Sequence, residues 1–127
     1  MDDKERRALG EKTIADVYAG DVIVPPEGYA FTDIMLKLLF AELWTRDTLS
    51  MRDKRILLLG IIAEKGEPNT FKIQIKASLK RGEMTPDEAR ELLLFIAQYA
   101  GYPRAASMLA PLEEAIAEYQ QESPADA

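Results

Sequence analysis

The side chains able to do chemistry in this chain are limited, because its 127 residues include no histidine and no cysteine. Without cysteine there is no thiolate for redox chemistry or metal binding, and without histidine there is no imidazole base poised near neutral pH. Any proton transfer would use Asp, Glu, Lys, Tyr or water. We therefore expect no metal site and no cofactor. The polar residue that stands out is Gln74, a neutral amide in the middle of the stretch TFKIQIKASLK.

The stretch around Gln74, residues 70–80, alternates apolar and polar residues, which is typical of a half-buried strand. No other segment alternates in this way, and a strand without a partner is not stable. Asn69 or Thr70 could cap the start of a helix, and Gly82 could end it. We therefore predict a helix at this position.

Winding this helix at about 100° per residue separates its residues into four faces. Two opposite faces are apolar: Phe71, Ile75 and Leu79 on one, and Ile73 and Ala77 on the other. Between them lie a charged edge and a neutral edge. The charged edge is Lys72, Lys76 and Lys80, and the neutral edge is Thr70, Gln74 and Ser78. The pattern predicts a helix buried on two sides, with Gln74 central on the neutral edge.

Helix-capping signals predict the elements that would position this segment. An opening helix is expected from Asp3 to about Gly20, and another from Thr32. Three more expected helices carry clear boundary residues. The first of these has Ser50 as its N-cap and ends at Gly66. The second starts with a capping box formed by Thr85 and Glu88, has Pro86 at its first position and ends at Gly101. The third is the last helix, in which Pro111 should cause a kink or a restart near Ala110.

Chain length and net charge limit the possible domain organisation and the possible binding partners. The length fits one domain, over residues 1–120, and the expected elements make it all-α with about six helices. We expect a disordered polar tail over residues 121–127. A net charge of −6 with mixed signs argues against nucleic acid as a partner. The longest apolar run, ILLLGIIA, is too short to cross a membrane, and the first residues lack a signal-peptide core. We expect a cytoplasmic protein whose surplus apolar surface supports self-association.

Several segments resemble the carboxymuconolactone decarboxylase family, whose members share the AhpD-like all-helical fold. They are ELWTR, LSMRDKR, IKASLKRGEMTPDEARELL and YAGYPRA, and together they span roughly residues 30 to 110. The resemblance implies an oligomeric helical bundle, a homotrimer or a homohexamer. It also implies a lyase or isomerase that acts on a small anionic lactone or keto acid.

The functional positions of that family are all substituted in this chain. The resemblance places the family's histidine at Gln74 and its two cysteines at Glu67 and Thr70. A glutamate used by peroxidase-type relatives falls near Arg55 or Ile56. The redox mechanism cannot carry over without cysteine, so the chain is not a peroxidase. If it is an enzyme, it would be a carbon–carbon lyase without redox chemistry.

The remaining residues define a hypothetical decarboxylase site. Gln74 could stabilise an oxyanion through its amide, and Glu42 and Glu67 are the acid–base candidates. The substrate-binding candidates are Arg46 and Arg55 for a carboxylate, together with Thr70 and Tyr99.

Each candidate also has a structural alternative. Gln74 could be a buried amide that bridges helices, and Glu42 with Arg46 could form a surface ion pair. Glu67 could simply lie in a loop, and Arg55 could belong to the solvated first turn of the helix that follows Ser50.

Three functions therefore remain open: a diverged lyase, a non-catalytic oligomer that binds a small ligand, and a purely structural or partner-binding assembly. The surroundings of Gln74 would discriminate among them. A cavity lined by Arg and a buried Glu favours the lyase, an apolar cavity favours ligand binding, and a site filled by side chains favours the assembly.

Overall fold

A computed structural model describes residues 1–123, and every regular element in those residues is helical. This confirms the all-α prediction. The chain divides into two compact units, residues 1–54 and the residues from Arg55 onward. Each unit is described by itself, and the single domain remains a prediction. Among the described residues, no helix combines the length and apolar character that crossing a membrane requires.

The first unit contains helix α1, Asp3–Val17, and helix α2, Ala30–Ile34. Helix α1 starts with a capping box in which Asp2 and Glu5 satisfy each other's backbone N–H groups. It ends three residues before the predicted Gly20, and α2 starts two residues before the predicted Thr32. The helix boundaries therefore differ from the predicted ones, while the prediction that both segments are helical is confirmed.

Helix α2 continues directly into a π-helical segment, Met35–Leu43, which the sequence pattern did not predict. Its wider turn is closed at the end by the N–H of Trp44, which donates to the carbonyl of Leu39, five residues earlier. The small core of this unit consists of Ile14, Val17, Leu36 and Phe40. Helix α1 approaches this segment so closely that a Cβ at Gly10 would overlap the Leu36 carbonyl.

Helix α3, Met51–Lys65, begins at the end of the first unit and continues into the second. The second unit then contains α4, Pro68–Lys80; α5, Pro86–Ala100; α6, Tyr102–Ala106; and α7, Leu109–Glu122. Its core is one hydrophobic cluster, which includes the fully buried Phe71 of α4. The predicted caps at Ser50, Gly66, Thr85 and Gly101 are present.

The alternating stretch is helical, as predicted, although α4 begins earlier than expected, at Pro68 with Glu67 as N-cap. Phe71, Ile75 and Leu79 are fully buried, and Ala77 on the opposite face is buried as well. Ile73, which also lies on that opposite face, is 43% exposed. The prediction of burial on two sides therefore holds for one apolar face and for part of the other.

The break expected near Ala110 lies earlier, at Ser107 and Met108 between α6 and α7. Pro111 is the third residue of α7, where a backbone N–H has no partner within the helix, so the proline needs no kink. Helix α7 reaches Glu122, so residues 121 and 122 of the expected tail are helical. Residues 124–127 of that tail lie outside the described residues.

Candidate functional site

The candidate site is built around Arg55, which lies in the second turn of α3. The Ser50 hydroxyl oxygen accepts a hydrogen bond from the N–H of Asp53 at 3.0 Å and so fixes the start of the helix. Arg55 then shares a helix face with Leu59 and Ile62, which belong to the core. Its side chain is completely buried. The expectation of a solvated first turn is therefore wrong for Arg55.

A buried guanidinium needs a counter-charge, and Glu83 supplies it. The Arg55 Nε donates to Glu83 Oε1 at 2.9 Å, and Nη2 donates to Oε2 at 3.2 Å. The Glu83 side chain is only 7% exposed. Arg81 adds a second cation, because its Nε donates to Glu83 Oε2 at 2.9 Å. The arrangement is a two-point arginine–carboxylate pair, the strongest common geometry for such ions.

The turn at the end of α4 places Glu83 against Arg55. Gly82 adopts a left-handed conformation, with φ of +70°, and its N–H donates to the Leu79 carbonyl. The N–H of Glu83 donates to the Ser78 carbonyl at 2.9 Å. These two bonds form a Schellman motif, which reverses the chain tightly after the helix. The Gly82 signal in the sequence therefore does more than end α4, because it also sets the position of the carboxylate.

Gln74 completes the network from the neutral edge of α4. Its Oε1 accepts a hydrogen bond from Arg55 Nη1 at 2.5 Å, and the residue is only 2% exposed. Ser78, one turn later, is fully buried and donates its hydroxyl to the Ile75 carbonyl at 2.6 Å. The structure thus brings Gln74 and Arg55 together, and the amide links α3 to α4.

The other predicted residues of the second unit lie at its surface. Glu67 and Thr70 are exposed at the start of α4, whereas Gln74, about one turn after Thr70, is buried. Tyr99 is 85% exposed, and its ring contacts Phe95 at a centroid distance of 5.4 Å. Among the predicted site residues, Gln74 and Arg55 are joined by a hydrogen bond.

Two further candidates belong to the first unit. Glu42 is exposed in the π-helical segment and lies 3.6 Å from Arg6 of α1. Arg46 is exposed beyond that segment, and its backbone carbonyl accepts a hydrogen bond from Lys54 at 2.5 Å. The ion pair observed for Glu42 therefore has Arg6 as its partner, whereas the sequence suggested Arg46.

Sequence reasoning missed Glu83 and the burial of Arg55, although both left signals. Arg55 precedes Leu59 and Ile62 at spacings of four and seven residues, which places it on the core face of α3. Glu83 directly follows a predicted C-cap glycine, where the chain turns back on the helix. Three cavities of this unit, of about 290 to 390 Å³, are lined by residues other than Arg55, Gln74 and Glu83.

Comparison with known proteins agrees with the sequence resemblance. The model of the carboxymuconolactone decarboxylase family matches residues 29–114. The chain belongs to this family. A 4-carboxymuconolactone decarboxylase from Acinetobacter baylyi (strain ATCC 33305 / BD413 / ADP1) is 24% identical over 84 residues, covering 66% of this chain. That alignment spans 62% of the length of the relative, and no solved structure matches the chain.

Proposed function

We propose that this chain is a non-catalytic, self-associating member of its family, in which the family's histidine position has become part of a structural network. One observation carries the proposal: the Gln74 oxygen accepts a 2.5 Å hydrogen bond from fully buried Arg55. That interaction holds two helices together. An amide does not exchange protons at neutral pH, so Gln74 cannot replace an imidazole in proton transfer.

The charges around Gln74 support this proposal. Arg55 is held at two points by Glu83, and Arg81 contacts the same carboxylate. A substrate carboxylate would have to displace Glu83 from a completely buried guanidinium, and that displacement would leave Glu83 without its main partner. Breaking a buried ion pair typically costs about 3–5 kcal/mol. The network is therefore better suited to stabilising the fold than to binding an anionic substrate.

Exposed apolar residues support the self-association part of the proposal. Phe95 and Tyr99 on α5 are 64% and 85% exposed, and Leu57 and Ile61 on α3 are also exposed. Large apolar patches on a protein surface usually mark an interface. We propose that a second copy of the chain covers the α5 patch, and a homotrimer or homohexamer remains the expectation from the family resemblance. A cytoplasmic location likewise remains a prediction.

The catalytic part is tested by carbon dioxide release from 4-carboxymuconolactone and from a panel of small β-keto acids. The Acinetobacter baylyi decarboxylase serves as the positive control. We expect carbon dioxide release with the wild-type chain to be no faster than in buffer alone. We expect the same rate for Gln74→His. Release by the wild type above the rate in buffer would overturn the proposal. A fall of that release in Gln74→Ala, but not in the control Gln120→Ala on the exposed surface of α7, would assign the activity to Gln74.

The self-association part is tested by the mass in solution from light scattering. We expect more than one chain for the wild type, and a smaller mass for the double variant Phe95→Ser/Tyr99→Ser. The control Gln120→Ser changes an exposed position of α7, outside the α5 patch, and should keep the wild-type mass. A monomeric wild type contradicts this part of the proposal and leaves the catalytic part to its own test.

A second candidate function is a lyase or isomerase acting on a small anionic lactone or keto acid. The family match and the name of the relative favour it. It would use Gln74, Glu42 and Glu67 as catalytic groups. Its substrate-binding residues would be Arg46, Arg55, Thr70 and Tyr99. Release of carbon dioxide that depends on Gln74 would support this candidate over the first.

A further inference from the structure

A cavity of about 290 Å³ lies among helices α5, α6 and α7, away from the Arg55 network. Leu93, Ala97 and Leu112 contribute buried side chains to its wall. Leu94 and Leu109, which also line it, are 51% and 55% exposed. The cavity therefore extends from the surface to the core of the second unit. Its lining is mainly aliphatic, which is typical of small-molecule sites.

Small residues create the space. Ala97 comes from α5, and Ala105 and Ala106 come from α6, where larger side chains would fill the gap between the helices. An apolar cavity of about 150 Å³ in another protein is large enough to hold benzene. A volume of about 290 Å³ therefore fits a ligand with one or two rings and is too small for a nucleotide-sized cofactor.

The charged residues in the lining neutralise each other. Arg90 Nε and Nη2 donate to the two carboxylate oxygens of Glu113, each at 2.9 Å. Hydrogen bonding to Glu113 raises the pKa of Arg90, and hydrogen bonding to Arg90 lowers the pKa of Glu113, so both remain charged. Asp87 adds a second carboxylate 3.3 Å from Arg90. An anionic ligand would have to compete with both acids for one arginine.

Tyr102 supplies a neutral polar group in the lining. Its hydroxyl oxygen accepts a hydrogen bond from Gln98 Nε2 at 2.7 Å. A phenol has one O–H to donate in addition to the bond that it accepts. It can therefore recognise one acceptor oxygen on a molecule that is otherwise apolar.

We propose that this cavity binds a small, neutral, ring-containing molecule with a carbonyl acceptor, which packs against the leucines and accepts a hydrogen bond from Tyr102. This ligand class differs from the acidic substrates that the family resemblance implies. The proposal does not depend on whether Gln74 is catalytic, because Gln74 does not line this cavity.

Three matched probes test the ligand chemistry by NMR titration of the full chain: acetophenone, benzoate and toluene. Acetophenone should bind saturably, and benzoate should bind at least about tenfold more weakly because Asp87 and Glu113 oppose its charge. Tyr102→Phe should weaken the binding of acetophenone about fivefold and leave the binding of toluene unchanged, since acetophenone can accept the hydrogen bond and toluene cannot. Equal binding of benzoate and acetophenone, or no saturable binding of acetophenone, would overturn the proposal.

A pair of variants tests the location. Ala106→Leu places a larger side chain in the lining and should abolish acetophenone binding, whereas Ala110→Leu changes an exposed alanine of α7 that does not line the cavity and should not. Retained binding in Ala106→Leu would contradict the location. Loss of self-association in Ala106→Leu, together with no binding of acetophenone by the wild type, would identify a second copy of the chain as the occupant and reject the ligand proposal.

Discussion

Helix α4 carries two polar edges that the structure uses in opposite ways. On the charged edge, Lys72 and Lys76 form ion pairs with Glu118 of α7 at 2.6 and 3.3 Å, and all three side chains are partly exposed. On the neutral edge, Gln74 is buried and binds Arg55. The edge without charges in the sequence is therefore the one that contacts a fully buried charge.

The difference follows from solvation. Partly exposed ion pairs are screened by water and salt, so each contributes little, and the geometry can be loose. Lys72 accordingly lies near both Glu114 and Glu118, and Lys76 lies near both Glu118 and Glu122. A buried guanidinium has no such freedom, because water cannot reach it and each N–H without a protein acceptor costs free energy. We therefore expect the buried edge to tolerate change far less than the exposed edge.

The largest effect is expected when the buried charge is removed. Arg55→Met keeps much of the apolar volume but takes the two-point partner away from Glu83, while the hydrogen bond from Arg81 to Glu83 remains. We expect the free energy of unfolding to fall by about 3 kcal/mol, near the lower end for a broken buried pair because Arg81 remains. Urea unfolding followed by circular dichroism measures the change.

The matched control is Arg52→Met, which makes the same substitution at an exposed position of the same helix. It should change stability by less than about 1 kcal/mol, because interactions of an exposed charge are screened by water. The double variant Arg55→Met/Glu83→Leu should recover part of the loss, since it removes both buried ions. Equal effects of Arg55→Met and Arg52→Met would show that burial does not distinguish the two arginines.

An intermediate effect is expected when the amide is removed. Gln74→Leu deletes the acceptor of Arg55 Nη1 while the ion pair with Glu83 remains. Removing the acceptor of a hydrogen bond from a buried charged group should lower the free energy of unfolding by about 1–3 kcal/mol. The same urea experiment measures it, with Gln120→Leu on exposed α7 surface as the control. A loss no larger than that of the control would remove Gln74 from the structural network.

Much of this arrangement could be predicted from local sequence signals. The capping residues Ser50, Gly66 and Thr85 identified real helix ends, and Gly82 marked the turn after α4. The winding of residues 70–80 placed Gln74 and Ser78 on one edge, and both are buried. These features are local, so a few residues are enough to specify them.

The partners could not be predicted in the same way, because they are remote in sequence. Gln74 and Arg55 are 19 residues apart, and Arg55 and Glu83 are 28 apart. Charge alone suggested a solvated Arg55, and only its spacing from Leu59 and Ile62 pointed to the core. The α5–α7 cavity likewise depends on how three helices pack around small alanines, which no single segment reveals.

The smallest effect is expected at the charged edge of α4. Glu118→Gln removes the carboxylate shared by Lys72 and Lys76. Hydrogen bonds from Lys72, and then from Lys76, lower the pKa of the Glu118 carboxyl in the folded chain below its ordinary value of 4.5. Its contribution to stability is therefore complete above the unfolded value and is lost as the pH falls through the lower folded value.

Thermal melts of the wild type and Glu118→Gln should therefore differ slightly near neutral pH, by less than the Gln74→Leu difference, and should converge as the pH falls below about 4.5. The difference should also shrink in about 1 M NaCl, where the screening length is only about 3 Å, whereas the effect of Gln74→Leu should persist because that site is buried. Glu91→Gln, at an exposed position of α5, is the control for the loss of one acid. A Glu118→Gln difference that is as large as that of Gln74→Leu and insensitive to salt would mean that exposure does not separate the two edges of α4.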